Sequence, residues 1–124
     1  MKRANVMHVP AWILTTVLGL GAQPAFGQVI WTVGIGRTSC ATVMENIKQK
    51  GAAYEEHYLT WIGGFISGFN MAEAERTRSN VRVGEGIPNS KIAALLKEKC
   101  AKDPKKPLPE VAFEIRTELA EFRR

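Results

Sequence analysis

Tyr58-Leu59-Thr60-Trp61-Ile62-Gly63-Gly64-Phe65-Ile66-Ser67-Gly68-Phe69-Asn70 is the stretch on which the fold turns. Tyr58, Ile62, Phe65, Phe69 and Ala72 recur every three or four residues, the period of a helix with one apolar face. Trp61 and Ile66 widen that stripe, so a central helix is expected from Glu55 to about Arg78. Glycine inside a helix costs about 1 kcal/mol relative to alanine, so Gly63, Gly64 and Gly68 call for a packing reason. Gly64 and Gly68 lie four apart on one face, where another helix can approach closely. Close packing within the chain's own core is the expectation, and a homodimer seam is the alternative. A membrane-embedded G-x-x-x-G pairing does not fit, because the apolar stretch is short and its flanks are polar.

Downstream, residues 79–88 carry two glycines and read as a loop. Asn89 or Ser90 is expected to cap a third helix that puts Ile92, Leu95, Leu96 and Cys100 on one face. Residues 103–109 contain three prolines and must turn. Pro109 suits the first position of a last helix, along which Leu108, Ala112, Ile115, Leu119 and Phe122 form the stripe. Glu110 at its start and Arg123-Arg124 at its end match the helix dipole. Upstream, Thr38 or Ser39 can cap a helix carrying Cys40, Val43, Met44 and Ile47, which Gly51 stops. Residues 28–33 read as a short strand or an extended arm. The expected fold class is all-α, a small four-helix bundle.

At 124 residues the chain has room for one domain, and 45% hydrophobic against 23% charged residues call for a packed core. Its first 27 residues read as a secretory signal peptide. Lys2 and Arg3 precede the apolar, uncharged run 11–22, and Pro24 breaks the helix before the small residues Ala25 and Gly27. A membrane anchor is the rival, but twelve residues give only about 18 Å of helix, where a span takes about 20 residues. Stable membrane insertion is therefore not expected. Cleavage after Gly27 removes 27 of 124 residues, leaves a single helical domain at 28–124, and lowers the net charge from +5 to +3. The basic residues are interleaved with glutamates, so no nucleic-acid footprint is present.

Cys40 and Cys100 are the only thiols, and an even pair in a small exported chain reads as a disulfide. Closing a loop of that length stabilises by about 4 kcal/mol in the chain-entropy model. A reactive or metal-binding thiol is the rival; it has no C-x-x-C and no nearby histidine. With two cysteines and two histidines in all, neither a metal nor another cofactor is expected.

Enzyme motifs are not found. Gly34-Ile35-Gly36-Arg37 lacks the third glycine and the βαβ setting of a dinucleotide loop. Gly64-Phe65-Ile66-Ser67-Gly68 places its serine one position late for a nucleophile elbow. His57, ten residues before Ser67 on the same helix, is about 15 Å away along the axis. Asp103 is the sole aspartate. His57 reads as a surface histidine, or as a pH-responsive contact. Glu73 and Glu75 read as partners of Arg76 and Arg78 on the same helix.

The run Tyr58 to Asn70, the preceding Cys40, and Leu95-Leu96-Lys97-Glu98-Lys99-Cys100-Ala101-Lys102-Asp103-Pro104 with Pro107-Leu108 carry a resemblance. Over residues 40–119 the chain resembles the HdeA/HdeB-like group of small periplasmic proteins, whose best-known members are acid-stress chaperones. The resemblance implies a periplasmic helical protein, stapled between Cys40 and Cys100, that binds unfolding proteins when acid loosens it. Its contact stripe would be Tyr58, Trp61, Ile62, Phe65, Ile66 and Phe69. Protonating the twelve carboxylates and His57 takes the exported chain from +3 to about +16, and self-repulsion of that size loosens a bundle. A second resemblance, to Tai-type immunity proteins, implies tight binding of one cognate partner at neutral pH.

Overall fold

The computed structural model describes residues 32–122. The expected signal peptide with its cleavage site, residues 28–31 of the expected arm and the terminal Arg123-Arg124 lie outside them. Four helices follow a 3-10 turn at Gly34–Arg37: α1 (Cys40–Lys50), α2 (Ala52–Thr77), α3 (Asn89–Lys102) and α4 (Leu108–Glu121). The fold is all-α, a four-helix bundle joined by a Cys40–Cys100 disulfide with Cα atoms 4.9 Å apart.

The start of α1 is built from two distant pieces of chain. Ser39 caps it, its hydroxyl accepting from the Thr42 amide at 3.4 Å. The Cys40 and Ala41 amides donate to the carbonyls of Lys106 and Pro104 at 2.9 and 2.8 Å, and the Leu108 amide returns to the Thr38 carbonyl at 2.9 Å. The first amides of a helix have no partner within it; here the proline turn supplies them, beside the disulfide.

Gly51 ends α1 and opens α2. Its φ of 77° lies in the left-handed region that glycine enters without penalty, and its carbonyl accepts from the Tyr54 and Glu55 amides. No loop separates the helices, so α2 begins at Ala52, three residues before the expected Glu55. Two other starts also differ. Pro88, extended at φ −71° and ψ 149°, takes the cap position of α3, so Asn89 and Ser90 fall inside the helix. The Asn89 side-chain amide instead donates to the Glu56 carboxylate of α2 at 3.1 Å. Pro107 likewise caps α4, which places Leu108 first and Pro109 second.

The core joins all four helices. Val43, Tyr58, Ile62, Leu96, Val111 and Ile115 are wholly or almost wholly buried, and the two cysteines lie among them. No charged or polar side chain is buried among the described residues. Gly36 is buried against α2, and a β-carbon there would overlap the Trp61 indole.

Two stability measurements follow. Reducing the disulfide is expected to lower the free energy of urea unfolding by about 2–5 kcal/mol. Gly36→Ala should cost about 1–3 kcal/mol through overpacking on Trp61, with a blue or red shift of its fluorescence as the ring moves.

Candidate functional site

α2 is long enough to present two apolar rows with different fates. Tyr58, Ile62 and Ile66 point inward and are 0, 0 and 4% exposed. The Tyr58 hydroxyl accepts from the Asn46 side-chain amide at 2.8 Å. In the folded chain these three residues hold the bundle together and meet no partner. Trp61, Phe65 and Phe69 form the neighbouring row and are half-buried. Their rings follow each other at 5.5 and 5.0 Å between centroids, and Phe113 of α4 extends the series at 5.7 Å. Helical spacing brings side chains four apart into contact, so the ladder is a direct product of the sequence.

Beyond that ladder lies an open face. Gly64 and Gly68 are exposed, and a β-carbon on either would meet nothing within 4 Å. The expected packing of these glycines within the chain's own core therefore does not occur. The other three helices are drawn to the Tyr58–Ile62–Ile66 row, which lies on the far side of α2. Gly64, Phe65, Gly68, Phe69 and Ala72 instead line a shallow, mostly apolar groove. Met71 beside it is 74% exposed, and Phe113 on α4 is 46% exposed.

One edge of the aromatic ladder is locked by a cation. The Arg116 guanidinium of α4 lies 5.3 Å from the centre of the Phe69 ring and pairs with Glu73. Its side chain is only 11% exposed. This corrects the expected pairing of Glu73 with Arg76: a partner on α4 lies at the buried edge of α2, where the attraction is less screened. Nothing in local spacing points to a partner 43 residues away. Other ion pairs also join separate elements. Lys97 of α3 meets Glu55 of α2 at 2.9 Å, Lys99 of α3 meets Glu118 of α4 at 2.8 Å, and Lys106 of the proline turn meets Glu114 of α4 at 2.5 Å.

A second surface feature closes the far end of α2. The Asn70 side-chain amide donates to the Val83 carbonyl at 2.9 Å, holding the α2–α3 loop against the helix. His57 and Ser67, the residues a hydrolase reading would pair, are both exposed on α2. The His57 ring lies 5.5 Å from that of Tyr54. Among the described residues no three His, Cys, Asp or Glu side chains gather as a metal site would need. No described helix is long and apolar enough to cross a membrane. What the surface offers is apolar area and shape, which suit contact with another macromolecule.

Arg116 tests how the ladder is held. Arg116→Ala is expected to cost about 1–3 kcal/mol, since it removes a partly buried pair and the cation over Phe69. Glu73→Gln should cost less. A double-mutant cycle on the two residues, read by urea unfolding, gives the coupling.

Comparison with known proteins returns no match: no family model, no curated protein and no solved structure matches this chain. The likeness to HdeA/HdeB-like proteins rests on the motif residues alone.

Proposed function

We propose that this chain is a small exported protein that binds other proteins, acting in the periplasm as an acid-activated chaperone of the HdeA/HdeB-like kind. The observation that carries this reading is how the helices are held against one another. The core is apolar and contains no charge that acid could add or remove. By contrast, the ion pairs between elements each use a glutamate: Glu55, Glu73, Glu114 and Glu118. Acid removes these links while the disulfide keeps α1 and α3 tied. Single exposed pairs contribute only about 0–1 kcal/mol each; their joint loss acts together with the rise in net positive charge. The outcome is a compact, helical, loosened state, in which the Tyr58–Ile62–Ile66 row joins the Trp61–Phe65–Phe69 row as contact surface.

One shifted carboxyl gives the same sign. The hydrogen bond and charge of Lys102 hold the Glu98 carboxyl below the usual carboxylate range. A group lowered in the folded state stabilises it above the unfolded pKa and loses that contribution as pH falls through the folded one. The Glu114 hydrogen bond raises the Lys106 ammonium, so on the alkaline side its contribution persists through neutral pH and is lost as pH rises through the folded value. Acid acts on the glutamates and alkali on the lysines, so the Lys106–Glu114 link is weakened from both sides, whereas the Glu98–Lys102 pair lies within α3.

A second reading is favoured by a different observation. The groove at Gly64, Phe65, Gly68, Phe69 and Ala72 is already open in the folded chain. A specific binder of the Tai-like immunity type needs no loosening to use it.

Acid titration of the oxidised, exported chain separates the two. Between about pH 4 and 2, tryptophan emission and dye binding are expected to report lost tertiary packing while far-ultraviolet dichroism keeps its helical signal. Aggregation of an acid-sensitive client should be suppressed over the same interval. A chain that stays rigid at pH 2 and protects no client overturns the chaperone reading.

A further inference from the structure

Gly63, Ser67 and Asn70 follow at intervals of four and three residues, so they share one face of α2. At about 100° per residue, that face flanks the core row on the side opposite the aromatic ladder. It forms one wall of a cleft of about 430 Å³, whose other wall is the α2–α3 loop with Asn89 and Ile92 of α3. The volume is in the range of small-ligand sites. Ile66, Val83, Ile87 and Ile92 give it an aliphatic lining, and no aromatic ring of the described residues borders it. A β-carbon on Gly63 would meet nothing within 4 Å. The room that this glycine leaves is part of the cleft.

Two polar atoms of this cleft are left without partners by the fold. The Asn70 side-chain N–H donates to the Val83 carbonyl, which fixes the amide's orientation. Its Oδ1 is buried and accepts no hydrogen bond. Buried acceptors in native proteins are nearly always satisfied, so this one calls for a donor. The Ser67 hydroxyl is the second. Thr77 and Thr117 donate back to the carbonyl four residues earlier, as hydroxyls within helices do, whereas Ser67 has no partner among the described residues. Asn89 directs its side-chain N–H to Glu56, which leaves its side-chain oxygen as a further acceptor. Arg82 and Glu85, both more than half exposed, pair at 3.2 Å and offset each other's charge. The cleft therefore offers acceptors, an aliphatic lining and no net charge.

We propose that this cleft binds a short neutral peptide segment, with an aliphatic side chain among Ile66, Val83, Ile87 and Ile92 and a backbone N–H donated to Asn70 Oδ1. The Ser67 hydroxyl and the Asn89 side-chain oxygen accept further amide protons of the same segment. Sugar rings lay their C–H faces on aromatic rings, and here the aromatic ladder lies on the other flank of α2. Because Oδ1 is closed to solvent, the peptide reaches it by easing the α2–α3 loop outward. That loop turns at Gly84 and Gly86, with φ of 84° and 74°, values that glycine adopts freely. The site works in the folded chain at neutral pH and needs none of the loosening that chaperone activity requires.

Amide chemical shifts of the isotope-labelled, oxidised, exported chain at neutral pH test this. The probe is acetyl-alanyl-leucyl-alanine amide, with its N-methyl-leucine analogue and N-acetylglucosamine titrated beside it. The leucine peptide is expected to bind with a sub-millimolar dissociation constant and to shift amides in residues 63–70 and 82–89. N-methylation removes the N–H that Asn70 Oδ1 accepts and should weaken binding at least about tenfold. Gly63→Leu fills the cleft and should weaken it at least as much. That variant should keep its helical dichroism, because leucine is the better helix former and nothing in the chain stands within 4 Å of the new β-carbon. Ser67→Leu, at an exposed position of the same wall, gives an independent block. No binding of the leucine peptide, equal binding of the N-methyl analogue, tighter binding of the sugar, or binding indifferent to both substitutions each overturns the proposal. Peptide binding at neutral pH and client protection in acid are separate readouts, so the failure of one leaves the other standing.

Discussion

The bond between Cys40 and Cys100 is the constraint on which the rest of this structure depends. It joins the first residue of α1 to the last turn of α3, across 60 residues of chain. The same place holds the backbone bonds from Cys40 and Ala41 to the carbonyls of the proline turn. A covalent link, the start of one helix, the end of another and the entry to a third therefore share one small volume. An isolated helix of α1's eleven residues is marginal in water. Anchored there at one end and passed directly into α2 through Gly51 at the other, it has little freedom left to lose.

That anchorage decides how α2 is used. With α1, α3 and α4 gathered on one side, the 26-residue helix buries Tyr58, Ile62 and Ile66 and leaves the opposite side bare. The aromatic ladder lies between these two sides, and Arg116 over Phe69 marks where the bundle ends and the free surface begins. Such an apolar, glycine-floored surface is what the proposed binding of other proteins would use. The reading as a protein-binding chain draws on that face and on the dependence of the interhelical links on glutamates, two features that a purely structural bundle of this size does not require.

Much of this was legible in the chain itself. Alternation by three and four residues points to all four helices, and the even cysteine count points to the staple. Two proline-led helix starts were misplaced by one or two residues. The side-chain caps available at Asn89 and Ser90 look as good on paper as the extended Pro88 that actually precedes the helix. Spacing pairs Glu73 with its neighbour Arg76, because the periodicity of one helix carries no information about a second helix 43 residues on. The apolar stripe of α2 reads as one surface, since a stripe this wide does not reveal which of its edges will be covered.

The amino-acid sequence alone determined the elements: where helices form, what breaks them, and which two sulfurs are available to bond. These follow from interactions among residues close along the chain, whose geometry is set by the backbone. Tertiary structure decided the rest: which row of α2 is core, which glycines remain bare, and which carboxylates bind one helix to another. Those outcomes depend on the competition of distant segments for the same apolar face. Three helices can cover one side of α2, and the side they choose leaves Gly64 and Gly68 open to solvent.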